Sequence, residues 1–568
     1  MLDRQVLTLL LTALALASGT SPSQAATKPN VVLITLGSVR ADRMSFLGSH
    51  PRITPHLDEI ARHSLIFERA FSQSPLTVVS QATILTGTFP QAHRISGVGM
   101  QLPDSIPFLP AILRAQGYRT AAFVGSIDLD PKNGLAPGFD RGFSTYNAGF
   151  HRPEAGISRY QSVACRGNLV VSRAISWLNE NAKVPFFLWL QLDDANVDSA
   201  TSYAQALAAD DAAVGQLISA LQAHQLYDEA LVAITSDHGQ SLGAHGEQTH
   251  GVFLYDESVH VPLLLKLPGA ANADKRVAAA VSLVDLAPTV LELARVPVPS
   301  QMQGESLMRI AQSGRDEPVY ARSDFPQTAF GWSALESWRV GKYLYIRAPK
   351  PELYNLFEDP GASRNLAQSA HAVLETMAAQ MTAFDQRLGG QSSTSSSGLT
   401  SSEVQKLASL GYVGLQKSIS GIATAASGID PKDEIAAENG VLSALAVIDA
   451  GKPERALSIL RNLDSAASDT YLAQFAMGIA LREQRDCANA IKYLHRAIEF
   501  QPDSSWAHFE MGFCLTKTGD YKSAAVHLEI ASKRLPEFSD AHALLAQTYD
   551  RLGRPDDAKR ERIVSMGK

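Results

Sequence analysis

Cysteine is scarce. Cys165, Cys487 and Cys514 are the only three in 568 residues, too few for a disulfide framework. Basic charge is not in excess either: the formal net charge is -7, which excludes the electrostatic footprint of a nucleic-acid binder. Long apolar runs are also missing. The one near the start, from Val6 to about Ala17, falls short of the ~20 residues that a bilayer span requires. No cysteine follows it, so no lipid anchor is expected there, and no later segment is apolar enough to cross a membrane.

What is present at the start reads as an export signal. Arg4 precedes the apolar run, and Ser23-Gln24-Ala25 places small residues at a cleavage site. Residues 1–25 are therefore expected to be a signal peptide, and the mature chain to be periplasmic or secreted. A hydrophobic content of 45% with 19% charged residues describes an ordinary globular protein. The length calls for three or four folding units.

Residues 26–388 alternate short apolar runs with amphipathic stretches. Val31-Val32-Leu33-Ile34-Thr35-Leu36, the run from Pro185 to Leu190, the run from Ala230 to Thr235 and the run from Val261 to Leu265 read as strands buried on both faces. Helical stretches such as Tyr203 to His224 separate most of them. This order predicts an α/β domain, a mostly parallel sheet sandwiched by helices. Chemistry in such sheets sits at the carboxyl ends of the strands, where Gly37-Ser38, Asp193-Asp194 and Asp237-His238 stand.

Gly389 to Gly398 is rich in glycine and serine, and residues 389–436 are assigned as a linker. From 437 to 568 the chain repeats every 34 residues. Gly478 recurs as Gly512 and then Ala546, Ala490 as Ala524 and Ala558, and Pro502 as Pro536. Gly451, Arg485, Gly519 and Gly553 mark the turns between helices. Small residues where two helices cross, with proline after the second, identify an all-α tetratricopeptide-repeat solenoid. Such an array is expected either to hold a peptide or protein partner in its groove or to pack against the preceding domain. In its register Cys487 and Cys514 meet on neighbouring helices, either as a disulfide or as two small buried thiols.

The segment Thr235-Ser236-Asp237-His238-Gly239, with His245 and His250 close behind, has the ligand mix of a divalent metal site. Several blocks around it resemble the sulfatase family of the alkaline-phosphatase superfamily. They are Lys28-Pro29-Asn30 with the strand after it, Arg40-Ala41-Asp42, Thr54-Pro55-His56-Leu57-Asp58, and Ser74 to Gly87. Phe253 to Glu257, Ser282 to Thr289, and Glu352 to Leu356 with Asp359-Pro360 add to them. The resemblance implies an alkaline-phosphatase-like fold and a nucleophile held by a divalent metal (Ca, Mg, Mn or Zn). It implies attack on the sulfur or phosphorus of a sulfated or phosphorylated ester.

Thr77 takes the nucleophile position, and no cysteine stands there for conversion to formylglycine. Asp237 and His238 take metal-ligand positions, and His250 a catalytic one. Gln81, Asp194 and Asn196 fall in the substrate-binding segments. Four departures are visible: Gly37 where the resemblance implies a ligand aspartate, Gln81 where it implies Arg or His, and Gln191 and Asn196 where it implies histidines. The expectation is a sulfatase-like protein with an incomplete metal site and weak or absent hydrolysis, which Gly37→Asp would repair. The alternative is a pseudoenzyme that binds through its sulfatase-like domain and its repeats.

Overall fold

The computed structural model describes residues 28–132, 134–148, 166–197, 200–388, 428–536 and 538–566. The expected signal peptide, Cys165 and the Gly/Ser segment lie outside the described residues.

The first sheet contains β1 (Val31–Leu36), β2 (Leu65–Phe71), β3 (Arg119–Val124), β4 (Thr145–Asn147), β5 (Phe186–Leu192), β6 (Leu231–Ser236), β7 (His260–Lys266) and β8 (Lys275–Ser282). Their spatial order is β4-β3-β5-β1-β6-β7-β2-β8. β7 is antiparallel to both neighbours and the remaining pairs are parallel. All six residues of β1 are buried, as its unbroken apolar run requires of a central strand. Successive side chains leave a strand on opposite faces. Leu33, Trp189 and Leu263 accordingly join one core cluster with helices Thr77–Thr86 and Leu286–Leu293, while Ile34, Leu190 and Val232 join the other with helices Gly167–Asn181 and Ala200–Ala223.

A second, antiparallel sheet runs β12-β11-β10-β9, built from β9 (Val319–Ser323), β10 (Leu335–Val340), β11 (Tyr343–Arg347) and β12 (Glu352–Asn355). Helix His371–Arg387 closes it by laying Met377, Met381 and Phe384 on Tyr320 and Trp338.

The repeat array starts with helix Ile435–Asp449 and ends with helix Pro555–Ser565. Its 34-residue period is explained by contacts that translate with it. A Cβ on Gly478 would lie 2.6 Å from Leu494 Cδ2, and one on Gly512 2.5 Å from Leu528 Cγ. Only glycine lets the paired helices approach this closely. The imidazole Nε2 of His508 donates to Pro502 O at 2.9 Å, and that of His542 to Pro536 O at 3.1 Å. Cys487 and Cys514 are free, buried thiols within hydrogen-bonding reach of each other, not a disulfide. Among the described residues no helix is long and apolar enough to cross a membrane.

The assigned linker needs correction at its far end. Residues 428–434 are docked on the second sheet: Ser333 N donates to Ile429 O, Lys350 N to Asp430 Oδ2, and Lys432 Nζ pairs with Glu352 at 2.7 Å. The array itself lies on the α/β domain. Ala329, Phe330 and Trp332 share a core with Phe475 and Met477 of helix Tyr471–Glu483, Gly134 abuts Leu535, and Asn439 hydrogen-bonds Gly246 O and Gln248 N. Packing against the domain, one of the two expected roles of the array, is thus observed.

Candidate active site

Three strand ends meet at one point. Leu36 pairs with Leu192 on one side and with Ser236 on the other. The next residues along, Asp193, Gly37 and Asp237, therefore stand side by side at the carboxyl edge of β5, β1 and β6. Helix Thr77–Thr86, buried along its whole length, points its N-terminus at the same edge. Ser80 Oγ ties it there by donating to Asp237 O at 2.6 Å.

Thr77 occupies the first turn of this helix. It is not the cap: the N-cap is Leu76, and no side chain caps there. Its hydroxyl instead lies 3.1 Å from His238 Nε2, also within reach of the Asp237 carboxylate. The direction of that bond follows from the other ring nitrogen. His238 Nδ1 is 2.8 Å from Gly239 O, so Nδ1 carries the proton and Nε2 is the acceptor. Burial holds His238 neutral, its pKa lowered to about 4. Thr77 and His238 thus have the geometry that a nucleophile and its base require. Both ring nitrogens of His238 are engaged, so a cation at Nε2 would take the place of the threonine proton.

His250 lies over this pair, its ring centroid 4.3 Å from that of His238. Its Nδ1 donates to Pro75 O at 3.0 Å, leaving Nε2 bare. Burial lowers its pKa to about 3. The loop that carries it is pinned by Glu247, which accepts from Val252 N and from Ser241 Oγ.

Asp237 is fully buried and accepts from Ser38 N at 3.1 Å and His238 N at 2.8 Å. Burial still pushes its pKa up to about 6. Gln81 sits beside it, donating to Thr35 Oγ1 at 3.0 Å with its Nε2 3.5 Å from Asp237 Oδ2. The residue at 38 is a serine in the left-handed region, φ 60°, a conformation uncommon outside glycine, asparagine and aspartate. Tyr203 holds this turn through Ser38 O and Arg40 N.

Two expectations are corrected by this geometry. Asp194 is not at the meeting point; its carboxylate accepts from Gly167 N at 3.0 Å, at the start of helix Gly167–Asn181. The place left by Gly37 is not vacant. A Cβ at 37 would fall inside van der Waals contact with Asp193 Oδ1 and 3.2 Å from its Cγ, so Gly37→Asp requires the Asp193 carboxylate to move aside. Asp193, half-buried, accepts from Gln191 Nε2 at 3.1 Å and from the Asn196 side chain. Burial, then Asp237 and Asp128, push its pKa up to about 8. Asn196 is exposed and reaches the site through this bond. The signal for Asp193 was its place directly after a buried strand.

Among the described residues no three His, Cys, Asp or Glu side chains close a metal centre by themselves. The fit of a divalent cation rests on a wider donor set. Ser38 Oγ and Gln81 Oε1 are buried without a hydrogen-bond partner among the described residues, and both belong to residues whose other polar atoms approach Asp237. Two carboxylates with two neutral oxygens are hard donors that suit Ca, Mg or Mn. Cavities of about 420 and 130 Å³ lie elsewhere, against Lys266 and against Leu535.

Comparison with known proteins agrees with this architecture. The sulfatase family model matches residues 29–296, and the model of the N-sulphoglucosamine sulphohydrolase C-terminal region matches residues 244–387. Tetratricopeptide-repeat models match 472–504 and 515–561. Arylsulfatase K of Gallus gallus is 24% identical over 63% of this chain and 83% of its own length. N-acetylgalactosamine-6-sulfatase of Homo sapiens is 27% identical over 56% and 74%. Among solved structures, phosphonate monoester hydrolase of Agrobacterium radiobacter superposes with a TM-score of 0.52 at 20% identity, over 63% of this chain and 96% of the other. A protein solved with its substrate D-glucosamine-2-N,6-O-disulfate gives 0.53 at 17%, over 64% and 99%. With these matches overlapping over 244–296 and repeats behind them, the chain carries a sulfatase-family domain, continued by an N-sulphoglucosamine sulphohydrolase C-terminal region to residue 387, and a C-terminal tetratricopeptide-repeat array.

Proposed function

We propose that this protein is an exported, slow hydrolase of sulfate or phosphate esters that uses Thr77 as its nucleophile without formylglycine. The observation that carries this reading is the 3.1 Å contact between Thr77 Oγ1 and the bare Nε2 of His238. Sulfated glycans are the substrate class that the names of the relatives suggest. In the first step Thr77 Oγ bonds to sulfur or phosphorus while the ester S–O or P–O bond breaks. His238 accepts the threonine proton, and the leaving oxygen takes up a proton from water. Water then releases the anion from Thr77. The first N–H groups of helix Thr77–Thr86 donate to the anionic oxygens, as helix N-termini do. His250 Nε2, which carries no proton, can accept one from the water that releases the anion.

A bound divalent cation would acidify the Thr77 hydroxyl and take up charge on the ester oxygens. The slowness follows from two features. A histidine with a pKa of about 4 is a weak base. Gln81 and Asn196 also replace the groups the family pattern provides for binding anions and protonating leaving groups. One charged hydrogen bond of that kind is worth about 1.5–3 kcal/mol, which is roughly ten- to a hundredfold in rate. A second reading, a pseudoenzyme that grips an anionic ligand without turnover, is favoured by the amide character of Gln81, Gln191 and Asn196.

The test is a screen of aryl sulfates and phosphate mono- and diesters on the full chain and on Thr77→Ala. Slow turnover that disappears in Thr77→Ala supports hydrolysis. Binding without turnover supports the pseudoenzyme.

A further inference from the structure

Three departures from the family pattern, Gly37, Gln191 and Asn196, converge on one carboxylate, that of Asp193. Gly37 has no side chain, and Asp193 fills the space with its carboxylate. Gln191 Nε2 donates to Asp193 Oδ1 at 3.1 Å, while its Oε1 is fixed by Gly125 N at 3.0 Å and Ser126 N at 2.8 Å. The Asn196 side chain donates to the same carboxylate. We infer that the cation-binding carboxylate of the first strand has been transposed to β5: Asp193 takes the role vacated at 37, with Gln191 and Asn196 as its positioning residues.

Geometry makes the exchange possible. β1 and β5 are parallel neighbours with Leu36 opposite Leu192, so a side chain from 193 reaches the same volume as one from 37. A side chain at both positions would overlap, which accounts for the glycine. The amide of Gln191 serves both sides at once, its Oε1 accepting from Gly125 N and Ser126 N while its Nε2 donates to Asp193. The second, independent sign of a ligand is the buried Gln81 Oε1 without a partner among the described residues, on an amide whose Nε2 lies 3.5 Å from Asp237 Oδ2. The site therefore presents Asp193 and Asp237 on either side of Gly37, with unpartnered oxygens on the neighbouring Ser38 and Gln81, and it would take a hard divalent cation.

This inference rests on the proposed cation-assisted hydrolase reading, but its test does not need turnover. Mn²⁺ binding to the full chain is measured by calorimetry and by the rise in Tm over an EDTA-treated control. The expected results are that Asp193→Asn keeps the Tm seen in EDTA and weakens Mn²⁺ binding by at least about tenfold. Gly37→Asp alone lowers the Tm in EDTA, because two carboxylates compete for one volume. The exchange Gly37→Asp with Asp193→Ala restores both Tm and binding to near the wild-type values. Should Asp193→Asn fail to fold, the exchange variant decides alone, and its failure to bind Mn²⁺ overturns the inference. Wild-type affinity in Asp193→Asn, or no Mn²⁺ binding by the wild type, also overturns it. If Asp193-dependent binding is found and no ester is turned over, only the hydrolase reading falls.

Discussion

Glu438, on the first helix of the repeat array, is buried against Glu247, the carboxylate that pins the loop carrying His250. Neither oxygen of Glu438 has a hydrogen-bond partner among the described residues. Burial, with Glu247 nearby, pushes the pKa of Glu438 up to about 9, and burial pushes that of Glu247 up to about 7. Both are raised above an unfolded value near 4.5. These groups therefore favour the docked fold fully below that value, and the contribution is lost as pH rises through about 7 and then about 9. Urea unfolding of the wild type is expected to show falling stability from pH 6 to 9. Glu438→Gln should flatten the upper part of that decline, by about 1–3 kcal/mol at pH 9. Parallel pH profiles for the two proteins would refute the buried carboxylate pair.

The nucleophile–base pair makes a separate prediction. Thr77→Ser keeps a hydroxyl beside His238 and should retain measurable turnover of any ester the wild type hydrolyses. His238→Ala should lower kcat by roughly 10²–10⁴, the range for a positioned base. Steady-state rates with an aryl ester, checked against unchanged circular dichroism, decide this.

Close helix approach in the repeats sets a third. Gly512→Ala places a methyl group 2.5 Å from Leu528 Cγ and should cost about 1–3 kcal/mol by overpacking. Pairing it with Leu528→Ala should cost less than the sum of the two single losses, since the substitutions share one space. Gly478→Ala against Leu494 repeats the experiment one unit earlier. Thermal denaturation of the single and double variants measures the coupling.

The shared core at the domain boundary sets the fourth. A fragment spanning 428–566 should be helical, because the array closes most of its core by stacking its own helices. It should melt below the array in the full chain, because Ala329, Phe330 and Trp332 no longer cover Phe475 and Met477. In the full chain Trp332→Ala should cost about 3–5 kcal/mol. A fragment melting as high as the intact protein would mean that the shared core adds nothing.

Much of this architecture is written in local pattern. The unbroken apolar run of β1 could only be a strand covered on both faces, and the 34-residue recurrence of Gly478 as Gly512 could only be a repeat. Both signals need no knowledge of distant residues. Thr77, Asp237, His238 and His250, each singled out from its own block, are brought together by the fold. Asp194 was taken for the site residue where Asp193 stands. Adjacent residues at the end of a strand leave it in opposite directions, and the sequence alone does not say which of two aspartates turns towards β1.

By itself, then, the sequence determined the layered α/β domain and the repeat array. Periodicity and motif order are properties of a linear chain. Tertiary structure alone decided that Asp193 fills the space beside Gly37, that Gln191 and Asn196 both hold it, and that Glu438 lies on Glu247. Each of these relations joins residues on different strands or different domains. Their partners are chosen by sheet order and by docking, where separation along the chain carries no weight.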